Sequence, residues 1–186
     1  MTLASDYTLG YNDWLQTYTG KRFYPLAPRV EDIDVFDIAH ALSLQCRYGG
    51  HVTRFYSVAE HCVILSHVVS LENALWALLH DATEAYLVDV PRPVKRLLTN
   101  YRDIEAVLMA TIVDVYGIEP VMPEEVSIAD ARILINERDL LMNPSGFQWK
   151  IDEQGFYPLD LPVPIQGWEP GVAETRYLDR LNELIN

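Results

Sequence analysis

The chain has 186 residues, enough for one domain with a sizeable core, and its 49% hydrophobic and 22% charged residues are ordinary for a globular protein. A formal net charge of −13 argues against a polymeric nucleic acid partner, which needs clustered Lys and Arg, but leaves room for an anionic small molecule neutralised by metal or by local cations. No apolar run approaches the roughly 18 to 20 residues that cross a bilayer, and the N-terminus lacks the basic start and apolar block of a secretory signal, so a cytoplasmic protein with no membrane partner is expected.

From Met1 to about Arg29 the chain is irregular and aromatic, with Tyr7, Tyr11, Trp14, Tyr18, Phe23 and Tyr24 ahead of breaks at Pro25 and Pro28. It reads as an arm packed on the domain or on a neighbouring subunit. Asp32 or Asp34 can cap a helix through about Arg47, in which Val35, Ile38, Ala39, Leu42 and Cys46 follow the helical period and Gly49 and Gly50 form the stop. Asp37 and His40, three apart within it, are placed to pair, which makes His40 structural. In the loop Cys46–His51, Arg47 and His51 flank two glycines that let backbone approach a ligand, and the two cations suit phosphate. Cys46 and Cys62 read as reduced thiols, since neither lies in a CxxC spacing.

Ser57–Glu60 spells S-x-x-E, a capping box for a helix to about Val69 with Val58, Ile64, Leu65 and Val68 as its buried stripe. His61 lies just inside that helix, and His67, about 240° further around the axis, belongs to a surface or interface. Ser70 can cap the next helix. The stretch Leu75–Lys95 stands out, because Leu75, Leu78, Leu79, Ala82, Ala85 and Tyr86 recur at buried helical spacing while His80, Asp81, Glu84, Asp89 and Lys95 stand among or just after them. Side chains three and four apart share a face, which puts Glu84 beside His80 and Asp81, and the helix ends before Pro91 and Pro93.

Beyond the prolines, Lys95, Arg96 and Arg102 form a basic cluster in an acidic protein, with Arg96 and Arg102 read as solvating a short helix. A long helix is expected from about Tyr101 to Tyr116, stopped by Gly117, and another opens on Pro123, Glu124 and Glu125 and runs to about Met142. The second carries Asp130 among Ile128, Ala129, Ile133 and Leu134, where an unpaired carboxylate is costly and either a metal or exposure at the helix edge would relieve it. Asn143, Pro144 and Gly146 end it. The Pro/Gly-rich stretch 147–171 is expected to be irregular, with room for a short hairpin, before an amphipathic helix from about Val172 to Leu184.

His61, the adjacent His80 and Asp81, and Asp130 give the order H…HD…D on successive helices, set in SVAEH, HDATEAYLVDVPRPVK and IADA. In this pattern the chain resembles the HD superfamily of metal-dependent phosphohydrolases and is similar to bacterial HD-type 5′-deoxyribonucleotidases. CRYGGH ahead of SVAEH looks closer to a bacterial and phage subgroup that includes dATP triphosphohydrolases. The resemblance covers roughly Trp14 to Met142. It implies an all-α HD-domain helical bundle, one domain over 1–186 with its metal-site core at about 34–142, in the host cytoplasm if phage-encoded.

Two imidazoles and two carboxylates on separate helices suit a divalent transition metal such as Co, Mn, Zn or Fe, with positions open for water and a phosphate oxygen. Such a metal lowers the pKa of bound water. The family pattern assigns His61, His80, Asp81 and Asp130 as ligands and places Glu84 and Asp89 beside the nucleophile or on a second ion, Mg or the same metal. Lys95 and Arg47 would neutralise phosphate charge. The implied substrate is a deoxynucleotide, foremost dATP cleaved to deoxynucleoside and triphosphate, with dADP and dAMP as further substrates and 5′-deoxyribonucleotidase action on dNMPs as the alternative. Arg47, His51 and Lys95 are candidate phosphate contacts, and Tyr48, Trp14 and Tyr18 candidate stacking partners for the base. Two readings of other classes use the same residues, a di-iron oxygenase and a non-catalytic nucleotide sensor or assembly subunit. The aromatic arm and Pro-rich tail offer apolar surface for a homo-oligomer, a dimer or a multiple such as a hexamer.

Overall fold

Side-chain caps set the starts of two helices near the site. In the computed structural model, which describes residues 13–186 and so leaves Tyr7 and Tyr11 outside it, Asp34 accepts from the Phe36 N–H at 2.9 Å and opens α1, Val35–Leu44. Ser57 accepts from the Glu60 N–H at 3.0 Å and opens α2, Val58–Val68. The capping box is only half made. Instead of turning back on its own helix, the Glu60 carboxylate accepts the backbone N–H groups of Gln166, Gly167 and Trp168 at 2.8, 2.9 and 2.6 Å. One buried carboxylate therefore holds the C-terminal segment against the first turn of α2.

The remaining helices are α3, Ala74–Leu79; α4, Glu84–Leu87; α5, Arg92–Lys95; α6, Tyr101–Val115; α7, Glu124–Leu141; α8, Lys150–Glu153; and α9, Pro170–Ile185. The fold is predominantly helical. The sheet among the described residues is one hairpin, β1 at Leu15–Gln16 and β2 at Arg22–Phe23, paired antiparallel with Leu15 opposite Phe23. It lies in the aromatic arm, and the stretch 147–171 forms no strand. The physical reason is that side chains elsewhere take up the backbone groups a hairpin would use. Asn136 bonds both the N–H and C=O of Leu159, Arg132 bonds the carbonyls of Tyr157 and Pro158, and Arg54 bonds that of Ile165.

α2 is the central helix. Instead of one buried stripe, every residue from Val58 to Ser66 is buried, because α1, α3, α7 and α9 all pack on it, and His67 is the first to emerge. One apolar cluster gathers Ile38, Leu42, Leu78, Leu108, Ile112 and Tyr177, and another Ile64, Leu65, Trp76, Val113, Ile133 and Leu141. The Tyr177 hydroxyl donates to the Leu78 carbonyl at 2.9 Å, fixing α9 to α3. Tyr177→Phe leaves that carbonyl without its donor and is expected to cost about 1 to 2 kcal/mol in urea unfolding.

The expected local pair between Asp37 and His40 does not form. Asp37 accepts the Thr19 backbone N–H at 2.6 Å and its hydroxyl at 2.9 Å, holding the hairpin on α1. His40 instead meets Glu174 of α9 at 3.0 Å and stacks on Tyr18. Among the described residues no helix is long and apolar enough to cross a membrane.

Candidate metal centre

The helix expected to run through His80 and Asp81 breaks there. α3 ends at Leu79, and the chain continues right-handed with tightened bonds, Ala82 N–H to the Leu79 carbonyl at 2.8 Å and Glu84 N–H to the Asp81 carbonyl at 2.9 Å, before α4 begins. This turn faces α2, which supplies His61, and α7, which supplies Asp130.

The donor atoms converge. His61 Nε2 lies 3.2 Å from His80 Nε2, 3.3 Å from Asp130 Oδ1 and 3.7 Å from Asp81 Oδ2; His80 Nε2 lies 3.2 Å from Asp81 Oδ2 and 3.8 Å from Asp130 Oδ1. Adjacent ligands about 2.1 Å from one ion are separated by roughly 3.0 to 3.4 Å, so these spacings fit a transition metal with little movement. The tautomers fit as well. His61 Nδ1 bonds Glu137 at 2.6 Å and His80 Nδ1 bonds the Ala77 carbonyl at 2.7 Å, so each ring directs the lone pair of Nε2 at the other. A proton or a metal ion between the two Nε2 atoms relieves the repulsion of their lone pairs. Both imidazoles are buried, while the side chains of Asp81 and Asp130 are 20% and 29% exposed, which leaves the carboxylate side open to solvent. Burial works against the charges of Asp81 and Asp130, but the two histidines outweigh it and hold both carboxyls well below the usual range.

Cys62 lies within reach of His80 and Asp81 as well. Burial pushes its thiol pKa up, and the His80 atom nearest to its Sγ, at 4.0 Å, is the Nδ1 already committed to Ala77, so Cys62 is the poorer donor.

Around this cluster the other expected residues divide. Arg47 is buried, with Nη1 3.3 Å from Asp81 and Nη2 3.3 Å from Glu137. Glu84 is buried with no hydrogen-bond partner for Oε2 among the described residues, and burial together with Asp81 and Asp89 pushes its carboxyl up to about 9. Burial likewise raises Asp89. Val88 before it takes a φ of 67°, costly for a β-branched residue, as the chain turns. Tyr48 bonds Glu137 and faces Trp149, their ring centres 6.3 Å apart. Trp14 sits on the hairpin under the Arg22 guanidinium, Tyr18 is engaged with His40, and His51 is exposed; none of the three lines the cavity beside the metal cluster.

That cavity, about 570 Å³, has His80, Asp81 and Asp130 in its wall together with Arg92, Lys95, Arg96 and Arg102. Arg96 and Arg102, read from sequence as solvating charges, thus line the same cavity as the carboxylates, and Arg92 joins them. Lys95 reaches Glu105 in an ion pair. Glu137 also escaped the sequence reading. Its signal was its position seven residues after Asp130, two turns along the same face of α7.

No family model matches the chain. It is 40% identical over 171 residues to the uncharacterised protein YfdR of Escherichia coli strain K12, an alignment spanning 92% of this chain and 95% of that one. It is also 33% identical over 126 residues to an uncharacterised protein of Rhodobacter capsulatus, spanning 62% and 64%.

Proposed function

The chain belongs to the family of the Escherichia coli protein YfdR, and we propose that it is a metal-dependent phosphohydrolase of the HD type, acting on deoxynucleoside triphosphates, dATP foremost, to release deoxynucleoside and triphosphate. The observation that carries this reading is the shared cavity, lined by three of the candidate metal ligands, His80, Asp81 and Asp130, and by four cations. In a chain with 14 Lys and Arg against 27 Asp and Glu, four cations at one cavity suit a polyanion more than a single phosphate.

His61, His80, Asp81 and Asp130 would hold the metal, which supplies Lewis acidity toward a phosphoryl oxygen and toward water. The remaining roles fall to side chains. Arg92, Lys95, Arg96 and Arg102 bind and orient the phosphate chain, and Arg47 offsets the charge of Asp81 and Glu137. Hydrolysis at the α-phosphorus forms a bond from water oxygen to phosphorus and breaks the bond to the 5′ oxygen, which leaves with a proton. Glu84 Oε2, which has no hydrogen-bond partner among the described residues, would hold that proton.

Incubation with dATP, dGTP or dAMP and Co²⁺ or Mn²⁺, with products resolved by chromatography, tests the assignment. Deoxyadenosine and triphosphate from dATP are expected. Orthophosphate from dAMP alone would move the assignment to a 5′-deoxyribonucleotidase, and no turnover of any nucleotide would end it. Arg96→Glu with Arg102→Glu is expected to raise KM for dATP about tenfold, with a smaller change in kcat and a weaker salt dependence, because both side chains are solvent-exposed and screened.

A further inference from the structure

The two histidines of the cluster are oriented by different means. His80 Nδ1 bonds a carbonyl of its own helix, three residues back, so the helix end fixes its tautomer. His61 depends on Glu137, a residue 76 positions away on α7. Glu137 is completely buried and has four partners: His61 Nδ1 at 2.6 Å, the Tyr56 hydroxyl at 3.0 Å, Arg47 Nη2 at 3.3 Å and the Tyr48 hydroxyl. The carboxylate already accepts from the Arg47 guanidinium and from two hydroxyls, so it accepts from His61 as well, and the proton of that bond lies on His61 Nδ1.

Three of these four partners, Arg47, Tyr48 and Tyr56, come from the single connection between α1 and α2. Tyr48 is held there at φ 57° and ψ 25°, a left-handed conformation that carries a steric cost for a non-glycine residue. Its bond to Glu137 offsets that cost. We propose that Glu137, braced by Tyr48, is a positioning residue for the metal: it fixes His61 in the tautomer that presents Nε2, and it joins that ligand to the loop carrying Arg47. The inference rests on the reading of His61 as a metal ligand and is independent of the nucleotide substrate.

Calorimetric titration of the metal-free full chain with Co²⁺, together with the ligand-field absorption of the bound ion, tests it on wild type, Glu137→Gln and Tyr48→Phe. Glu137→Gln keeps the shape and one acceptor but removes the charge, and its Co²⁺ affinity is expected to fall about 10- to 100-fold, with an altered absorption spectrum and an unchanged helical circular dichroism. Tyr48→Phe leaves the carboxylate in place, and a several-fold loss is expected. Wild-type affinity and spectrum in Glu137→Gln would overturn the proposal while leaving the metal centre standing; absence of Co²⁺ binding by wild type would overturn both. If Glu137→Gln does not fold, Tyr48→Phe decides, and wild-type Co²⁺ affinity there overturns the role of the brace.

Discussion

His80→Ala is expected to remove the proposed divalent-metal binding and to lower the proposed nucleotide hydrolysis by more than about a thousand-fold while the protein stays folded. His80 Nε2 lies 3.2 Å from both Asp81 Oδ2 and His61 Nε2, so its loss opens the donor set between α2 and the turn after α3. Withdrawing a metal forfeits several kcal/mol of transition-state charge stabilisation, and about 4 kcal/mol is a factor of roughly a thousand in rate. The fold should survive. The lost Nδ1 bond serves one carbonyl at a helix end beside an open cavity, where water can replace it. Co²⁺ calorimetry, circular dichroism and product chromatography on the same preparation check the three parts. Full turnover with metal absent would remove the metal centre from the mechanism.

Gly167→Ala is expected to lower stability by about 3 to 5 kcal/mol, or roughly 10 °C in melting temperature for a chain of this size. Gly167 has φ +72°, and a Cβ built there would stand 2.6 Å from the Phe55 carbonyl oxygen and 3.4 Å from Arg54 Cδ. A backbone carbonyl cannot swing aside as a side-chain tip can. The segment must move instead, and with it the Gln166, Gly167 and Trp168 N–H groups that satisfy the buried Glu60. Hydrogen bonds to a charged group contribute about 1.5 to 3 kcal/mol each, and the left-handed backbone adds about 1 kcal/mol. Gly20→Ala is the control, since Gly20 shares a positive φ of 83° and its Cβ would meet nothing within 4 Å. Equal melting temperatures for the two variants would show that the close approach to Phe55 carries no cost.

The sequence by itself determined most of the helical elements, because their signals are local. Apolar periodicity, the Asp34 and Ser57 caps and the Pro and Gly breaks act within a few residues of where they stand, and the helices begin and end close to the expected positions. The candidate ligands were legible for the same reason. His61, His80, Asp81 and Asp130 are polar residues in apolar helical runs, and such residues require a partner.

Which partner was a question for the tertiary structure. Glu60 carries a capping-box spacing and serves three N–H groups more than a hundred residues away; Asp37 and His40 share a helix face and bond to the hairpin and α9. In each case a buried or half-buried group took a partner that packing brought from another element, over one nearer in the sequence. Glu137 had no motif, and only the approach of α7 to α2 gives it His61. Arg96 and Arg102 read as surface charge until the chain after Pro91 brings them, with Arg92, to the cavity that His80, Asp81 and Asp130 line. Helices follow from spacing along the chain. A site made of lone pairs, carboxylates and cations follows from distances across it, which only the packed core determines.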